Sequence, residues 1–399
     1  MIKDEKMNRK VIAAALLLIG CLGLAGCSGD DDATGLASTP ISKDSDTTTE
    51  VVNTEVTDEG GTIVDRPVVD GKKQSYLTGE WKDEAIVDRR PMAVMIPNNK
   101  AAMPQYGISK ASIIFEAPME WLSCTRLMGV FEDYDELDHI GPLRSARHYF
   151  VYESMTLDAI YCNWGLTVPL AGPFINSDRV DNVSASVLGI DDPSDEAFAR
   201  DEKRKAAGYA TEYTGIMTID GYNAAVARHK YSVNHKDSFE EPFVFAQDGT
   251  VASYPDMTDV TKISPGGYTN EASGGGYGHG LPYFIYDPSD HLFHRYQFGE
   301  PQIDEYNNEE LTCRNVIFQI TSGEYYDDTT GYLNFAMNGL GPAFFFTEGK
   351  AIPGYWVRND VDSESFKYYD NAKNPIVFNQ GKTWICLVWD QYEDLITYE

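Results

Sequence analysis

Three arginines are the residues in this sequence best suited to bind an anionic ligand. Arg126 lies in the run TRLMGVFE, and Arg144 and Arg147 lie in GPLRSAR, where a turn leads into a predicted helix. Guanidinium groups bind carboxylate and phosphate groups in two-pronged geometry, and the free N–H groups at a helix start also favour anions. The pattern predicts a site for a carboxylate or phosphate group, such as one on a cell-wall polymer.

The same arginines can instead serve the structure. Three glutamates lie close to them in sequence, namely Glu116, Glu120 and Glu132. Arginine and glutamate side chains that are buried together form ion pairs whose role is structural rather than functional. Both interpretations are open at this point, and Glu116 counts as a candidate ligand-binding residue in the first of them.

Glu116 and His148 are also the candidates for acid–base catalysis, because a carboxylate near an imidazole can relay a proton. A single histidine on a helix is more often packed or solvated than catalytic. The sequence lacks the G-x-S-x-G, H-E-x-x-H and paired S-x-x-K and K-T-G motifs of known hydrolases. It also lacks the cysteine–histidine signature of L,D-transpeptidases. We therefore favour a binding or scaffold protein. The alternative is an envelope hydrolase or transferase that uses Glu116, His148 and the arginine site.

Trp164 joins the candidate ligand-binding residues because it follows a predicted strand, and α/β proteins often bind ligands at strand ends. His291 and His294 lie three residues apart in a strand-like run, so their side chains face opposite sides and suit no shared metal. The acidic clusters at 133–138 and 191–196 lack the glycine and closing glutamate of an EF-hand. We expect no metal site and no cofactor.

Charge and cysteine content limit the partners and the compartment. The chain carries 32 Lys and Arg against 62 Asp and Glu, a formal net charge of −30. A protein with this much negative charge repels phosphate backbones, and we therefore exclude nucleic acid as a partner. Four cysteines lie in the predicted folded part, Cys124, Cys162, Cys313 and Cys386. Buried free thiols and at least one disulfide are both open possibilities, because an exported chain can form disulfides.

The start of the chain has the three zones of an export signal. Basic residues precede the apolar run VIAAALLLIGCLGL, and small residues precede Cys27. The ending Leu-Ala-Gly-Cys resembles the lipobox of bacterial lipoproteins, which implies cleavage after residue 26 and lipidation of Cys27. Residues 27–79 are rich in Asp, Glu, Ser and Thr, a composition typical of a disordered tether. We expect a bilayer anchor through Cys27, with a cell-wall polymer or a membrane protein as a further partner.

From residue 80 onwards, the pattern of apolar residues predicts three parts. They are a mixed α/β (α+β) part at 80–240, a glycine-rich connecting region at 241–280 and a mostly β part at 281–399. Hairpins are predicted around residues 287–289 and 348–350, from their turn residues. Strands are predicted at 92–96, 112–119, 125–132 and 159–164. Helices are predicted from Ser145 to about Leu157, from Asp195 to about Ala207, and from Tyr222 to His229.

Several segments together resemble the YerB-like lipoproteins, a family with domains of unknown function. They are RPMAVMIPN, MPQYGISKASIIFEA, TRLMGVFED and HIGPLRSARHYF in the first half, and NVIFQ, GPAFFFTEGKAIPGYWVR and GKTWICLV in the second. The family tends to have an arginine followed by Pro-His-Asn where this chain has Arg204-Lys205-Ala206-Ala207-Gly208. The resemblance implies a layered α/β sandwich on the outer face of the cell membrane of a Gram-positive bacterium. It implies no reaction.

Overall fold

Strands run through the whole described chain, and the helices between them are short. The computed structural model describes residues 61–185, 196–267, 276–359 and 364–399. The strands of the first half are β1 Lys72–Gln74, β2 Trp81–Asp83, β3 Met92–Pro97, β4 Ile113–Pro118, β5 Thr125–Phe131, β6 His139–Ile140, β7 Ile160–Trp164, β8 Asn182–Ala185, β9 Phe198–Arg200 and β10 Gly215–Thr218. The α-helices are α1 Glu84–Val87, α2 His148–Thr156, α3 Gly172–Ile175, α4 Glu202–Ala206 and α5 Ile219–His229.

The regular elements described in the second half are strands, apart from two short 3₁₀ helices. Its strands are β11 Val244–Phe245, β12 Thr258–Asp259, β13 Lys262–Ser264, β14 Tyr283–Asp287, β15 Leu292–Gln297, β16 Glu300–Pro301, β17 Thr312–Cys313, β18 Asn315–Thr321, β19 Gly323–Tyr325, β20 Leu333–Phe335, β21 Gly339–Thr347, β22 Lys350–Arg358, β23 Lys367–Asp370, β24 Val377–Phe378, β25 Thr383–Trp389 and β26 Thr397–Tyr398. Short 3₁₀ helices form at Lys100–Ala102, Ile108–Lys110, Glu120–Leu122, Thr211–Tyr213, Gly278–Gly280 and Asp390–Leu395.

One large sheet joins the two halves of the sequence. Its order is β12-β22-β21-β18-β25-β4-β5-β3-β7-β8, and β23 pairs with β22 as an eleventh strand. The halves meet where β25 runs parallel to β4, with Thr383 opposite Ile113. The predicted connecting region contributes β11, β12 and β13 to three different sheets. Residues Thr57–Glu399 form a single compact unit.

Hydrophobic residues cover both faces of this sheet, as the alternation of side chains along a strand requires. On the face that we call the α2 face, Phe115 and Met128 pack with Tyr149 and Phe150 of helix α2. On the opposite face, side chains such as Ile114 and Leu127 pack with helix α5 and with the smaller sheet that contains β14 and β15. The fold is therefore mixed α/β, strand-rich and layered, as predicted.

Most predicted elements are confirmed, including both hairpins, the four strands predicted in the first half, which are β3, β4, β5 and β7, and the helix that ends at His229. Two helices were misplaced. The helix predicted from Ser145 begins at His148, because the preceding residues pair with the end of β7, where the N–H of Ala146 donates to the carbonyl of Gly165 at 2.7 Å. The helix predicted to start at Asp195, which lies outside the described residues, is replaced by β9 and the short helix α4, capped by Asp201.

The folded part also begins earlier than residue 80. Strand β1 forms at Lys72–Gln74, and Tyr76 and Leu77 are buried in the core. The hydroxyl of Ser75 donates to the buried carboxylate of Glu132 at 2.8 Å. The export signal, Cys27 and most of the predicted tether lie outside the described residues. No helix in the described part of the chain is long and apolar enough to cross a membrane.

Candidate functional site

The structure brings Arg126, Arg144 and Arg147 close together, and we call these three residues the arginine cluster. Each reaches this place from a different element: Arg126 lies near the start of β5, Arg144 follows β6, and Arg147 precedes α2. The positive charges of Arg147 and Arg144 both lower the pKa of Arg126, so the three guanidiniums lie close enough for their charges to interact. The sequence spacing therefore predicted a real cluster of positive charge.

The three guanidiniums differ in their partners. Arg147 donates to the Glu120 carboxylate from Nε at 2.6 Å and to the Ala146 carbonyl at 2.8 Å. Arg144 lies 3.3 Å from the carboxylate of Glu212, whose side chain is more than half exposed. Among the described residues Arg126 makes one hydrogen bond, from Nη1 to the carbonyl of Ser145 at 2.6 Å, and no ion pair.

Burial and the neighbouring Arg147 together lower the pKa of Arg126 to about 9. The guanidinium is still charged at neutral pH, but its charge is poorly stabilised. Three positive charges thus share two carboxylates, and one of those carboxylates is largely in solvent. An incoming anion would supply the missing negative charge and accept hydrogen bonds from the arginines.

Glu116 does not belong to this cluster, although the sequence predicted it there. It is fully buried on the opposite face of the sheet. Its carboxylate accepts hydrogen bonds from the side chains of Asn98 (3.0 Å), Thr125 (2.7 Å), Arg295 (2.8 Å) and Trp384 (3.0 Å). Every one of these partners is also buried, so Glu116 is a structural carboxylate without access to a ligand.

The alternation of strand residues explains this separation. Thr125 and Arg126 are neighbours in β5 and therefore point to opposite faces of the sheet. Thr125 contacts Glu116 on one face, and Arg126 contacts Ser145 on the other. Glu120, which lies in the 3₁₀ helix after β4, takes the place in the cluster that the sequence suggested for Glu116.

His148 is buried at the first residue of α2, beside Tyr149 and Phe335 on the α2 face. Burial lowers the pKa of His148 to about 4, so that its imidazole is neutral at physiological pH. The sheet separates His148 from the Glu116 carboxylate. The structure therefore corrects the idea of an acid–base pair between these two residues.

Trp164 lies beside the arginine cluster, since its backbone N–H donates to the carbonyl of Arg144 at 3.0 Å. Its ring is covered by a fourth arginine, Arg200, at 4.1 Å from the ring centre. Burial and the charge of Arg144 lower the pKa of Arg200. Arg200 was not predicted as a site residue, because it lies in β9, where the sequence pattern indicates a helix.

Aromatic side chains that the sequence analysis did not single out lie next to Arg147. Trp121 is 53% exposed, and its ring centre lies 5.4 Å from that of Tyr325. The guanidinium of Arg147 lies 5.7 Å from the ring centre of Tyr332. Trp121 adopts a φ of +55°, a left-handed conformation that is costly for a residue with a side chain. We call Trp121, Tyr325 and Tyr332 the aromatic surface.

The cysteines and the carboxylate–histidine groups show no second site of the same quality. All four cysteines of the described chain are free thiols, and three of them are buried. Asp287, Asp290 and His294 have ligand atoms within 4.8 Å of one another, although no metal site was predicted there. The imidazole of His294 is already bonded to Asp290 at 2.9 Å and to Glu310 at 3.1 Å, so its nitrogens are occupied.

Comparisons with known proteins agree with this fold. Residues 77–231 match the family described as "Protein of unknown function (DUF3048) N-terminal domain", and residues 275–385 match its C-terminal domain. The chain is 25% identical over 319 residues to a Bacillus subtilis (strain 168) protein named "Putative lipoprotein YerB". The aligned region covers 80% of this chain and 87% of that protein. The crystal structure of Bacillus subtilis YerB matches 82% of this chain and 99% of its own, with a TM-score of 0.66 and 23% identity.

Proposed function

The chain belongs to the YerB-like family with paired domains of unknown function. We propose that it is a lipid-anchored protein of the cell envelope that binds an anionic cell-wall polymer. The arginine cluster is the proposed binding site. The observation that carries this proposal is Arg126, a partly buried guanidinium without a carboxylate partner among the described residues. Such a charge is costly to bury, and an anionic ligand would offset that cost.

The aromatic surface supports a polymer of sugars as the ligand. Rings such as Trp121 present a large flat area that can pack against the C–H face of a sugar. Glu120 and Trp121 are consecutive residues, and the carboxylate of Glu120 holds Arg147. A glycan with carboxylate or phosphate groups would thus meet aromatic rings and free positive charge on one continuous surface.

The anchor is proposed from the start of the sequence. Its apolar run ends in Leu-Ala-Gly-Cys at Cys27, and the Bacillus subtilis relative carries the word lipoprotein in its name. Lipidation on Cys27 would hold the protein at the outer face of the cell membrane. The acidic segment that follows would let the folded part reach into the wall.

Co-sedimentation with purified cell walls tests the proposed site. The protein is prepared without its lipid, as the Cys27→Ala variant, and mixed with walls before and after chemical removal of their anionic polymers. We expect the substitutions Arg126→Gln and Arg144→Gln together to weaken binding roughly tenfold. Binding should also fall when the anionic polymers are removed, and when salt is added.

A matched control removes two positive charges from elsewhere on the surface. Arg228 forms an exposed ion pair with Glu196, and Lys203 is exposed on α4. The variant with Arg228→Gln and Lys203→Gln therefore has the same net charge as the test variant. Equal wall binding by the two variants would refute the proposed site, because only total charge would then matter.

A further inference from the structure

A cavity next to helix α2 is not used by the proposed anion site. It has a volume of about 380 Å³ and lies between the start of α2, the segment around α3, and the residues that follow β20. This volume is at the small end of the range for ligand pockets in proteins. The cavity therefore suits one ring-sized unit and is too small for a large cofactor.

His148 lines this cavity, and its ring nitrogens lack hydrogen-bond partners among the described residues. Its side chain is 5% exposed. The side chain of Asn334 and the backbone of Phe335 lie close enough to the imidazole to act against the lowering of its pKa, but their geometry falls short of a full hydrogen bond. An unpaired buried polar group costs free energy, and a ligand in the cavity would remove this cost.

The polar groups of the cavity are neutral. No carboxylate, lysine or arginine is among its described lining residues, whose polar members are the amides of Asn334 and Asn338, the Tyr152 hydroxyl and the imidazole of His148. Burial holds that imidazole in its neutral form, with one donor and one acceptor nitrogen. The two amides are partly engaged, because Asn334 donates to the carboxylate of Glu324 at 3.2 Å and the side-chain oxygen of Asn338 accepts from Arg358. The imidazole of His148 therefore offers the donor and the acceptor that an uncharged amide or hydroxyl group would meet in the cavity.

The remaining walls are apolar and aromatic. The rings of Tyr152 and Phe174 meet edge to face at 5.1 Å, and Pro173 and Phe335 complete these walls. Aromatic walls with a few polar groups suit a ring with an apolar face and polar edges. A methyl group attached through an amide would also fit, with the methyl against the rings and the amide against His148 or Asn334.

We infer that the cavity beside His148 binds an uncharged sugar that carries an acetamido group. The inference rests on the proposed function for the identity of the polymer, and it adds a neutral subsite next to the anion site. Arg147 and His148 are consecutive residues, so a neutral unit in the cavity and an acidic unit at the arginine cluster would lie close together on one glycan.

Calorimetric titration with a neutral trisaccharide of N-acetylglucosamine tests this inference on the full mature chain. We expect measurable binding at concentrations up to about 10 mM. Cellotriose, which has hydroxyl groups in place of the acetamido groups, should bind at least tenfold more weakly. Absence of trisaccharide binding, or equal binding of cellotriose, would overturn the inference.

Two variants connect the binding to this cavity. His148→Phe keeps an aromatic ring at this position but removes both nitrogens, and it should raise the Kd for the trisaccharide about tenfold. Ala336→Trp places a large ring at an exposed position of the cavity lining and should block binding without disturbing the core. The second variant keeps the test decisive if the first fails to fold, and unchanged binding by either folded variant would overturn the inference.

The arginine variants separate this inference from the proposed function. The variant with Arg126→Gln and Arg144→Gln should bind the neutral trisaccharide with an unchanged Kd, since neither residue lines the cavity. Normal trisaccharide binding without any effect of the arginines on wall binding would refute the anion site alone. Wall binding that depends on the arginines, together with no trisaccharide binding, would refute the neutral subsite alone.

Discussion

At the scale of single residues, Glu153 shows how burial can turn an ordinary carboxyl group into one that titrates near neutral pH. It lies in α2, and its Oε2 has no hydrogen-bond partner among the described residues. Burial raises the pKa of Glu153 to about 8, although Arg358 and a hydrogen bond from Gln319 act to lower it. The folded protein therefore keeps a proton on Glu153 that the unfolded chain, with a glutamate pKa of about 4.3, has already lost.

This difference predicts the direction of a pH effect on stability. The contribution of Glu153 to the free energy of unfolding is fully present below about pH 4. It is lost as the pH rises towards about 8, by at most about 1.4 kcal/mol per pH unit. Glu153→Gln resembles the protonated form, so its free energy of unfolding should fall less over this range. Urea unfolding of both proteins at pH 5, 7 and 9 measures the difference. Parallel pH profiles would contradict the assignment to Glu153.

At the scale of elements, the strand pattern of the sequence predicted where β3, β4, β5 and β7 lie but not which groups their side chains meet. The run from Ser112 to Met119 is recognisable as a strand from its apolar residues. Glu116 within it contacts Arg295 and Trp384, which lie about 180 and 270 positions later. The pairing of β4 with β25 decides the contact with Trp384, and the packing of the smaller sheet against this face decides the contact with Arg295. No local spacing in the sequence contains that information. The arginine cluster was predictable because Arg144 and Arg147 lie in one short segment.

The pair of Glu116 and Arg295 links β4 of the first half to β15 of the second. Both side chains are fully buried, and Arg295 lies between the rings of Phe284 and Trp384, at 4.8 and 4.7 Å from their centres. Glu116→Gln would leave the guanidinium without its counter-charge in the core. We expect a loss of about 3–5 kcal/mol in the free energy of unfolding, measured by urea titration.

A surface ion pair supplies the control for this element-scale prediction. Lys205 and Glu202 pair on the exposed side of α4, and removing such a pair costs at most about 1 kcal/mol. Glu202→Gln should therefore be nearly as stable as the parent protein. If Glu116→Gln were equally mild, the buried pair would not contribute to the stability of the contact between β4 and β15.

At the scale of the whole molecule, the strong negative net charge and the small cluster of positive charge together decide under which conditions an anionic ligand binds. With a net charge of −30, the protein as a whole repels polyanions over long distances. Salt screens this repulsion, but the partly buried arginine cluster is screened less. An anionic polymer therefore binds well only when it is already concentrated near the protein, as it would be around a protein anchored in the envelope.

Removal of the anchor tests this dependence on location. Cys27→Ala, expressed in a Gram-positive host, should move the protein from the membrane fraction to the medium or the wall fraction, as followed by immunoblotting. Because the arginine cluster is intact, walls purified from the same cells should still bind the released protein in vitro at low salt. Cys21→Ala, which changes the other cysteine of the export signal, is the control and should stay in the membrane fraction. If Cys27→Ala stayed there as well, lipid on Cys27 would not be the anchor, and some other contact would have to bring this acidic protein to the wall.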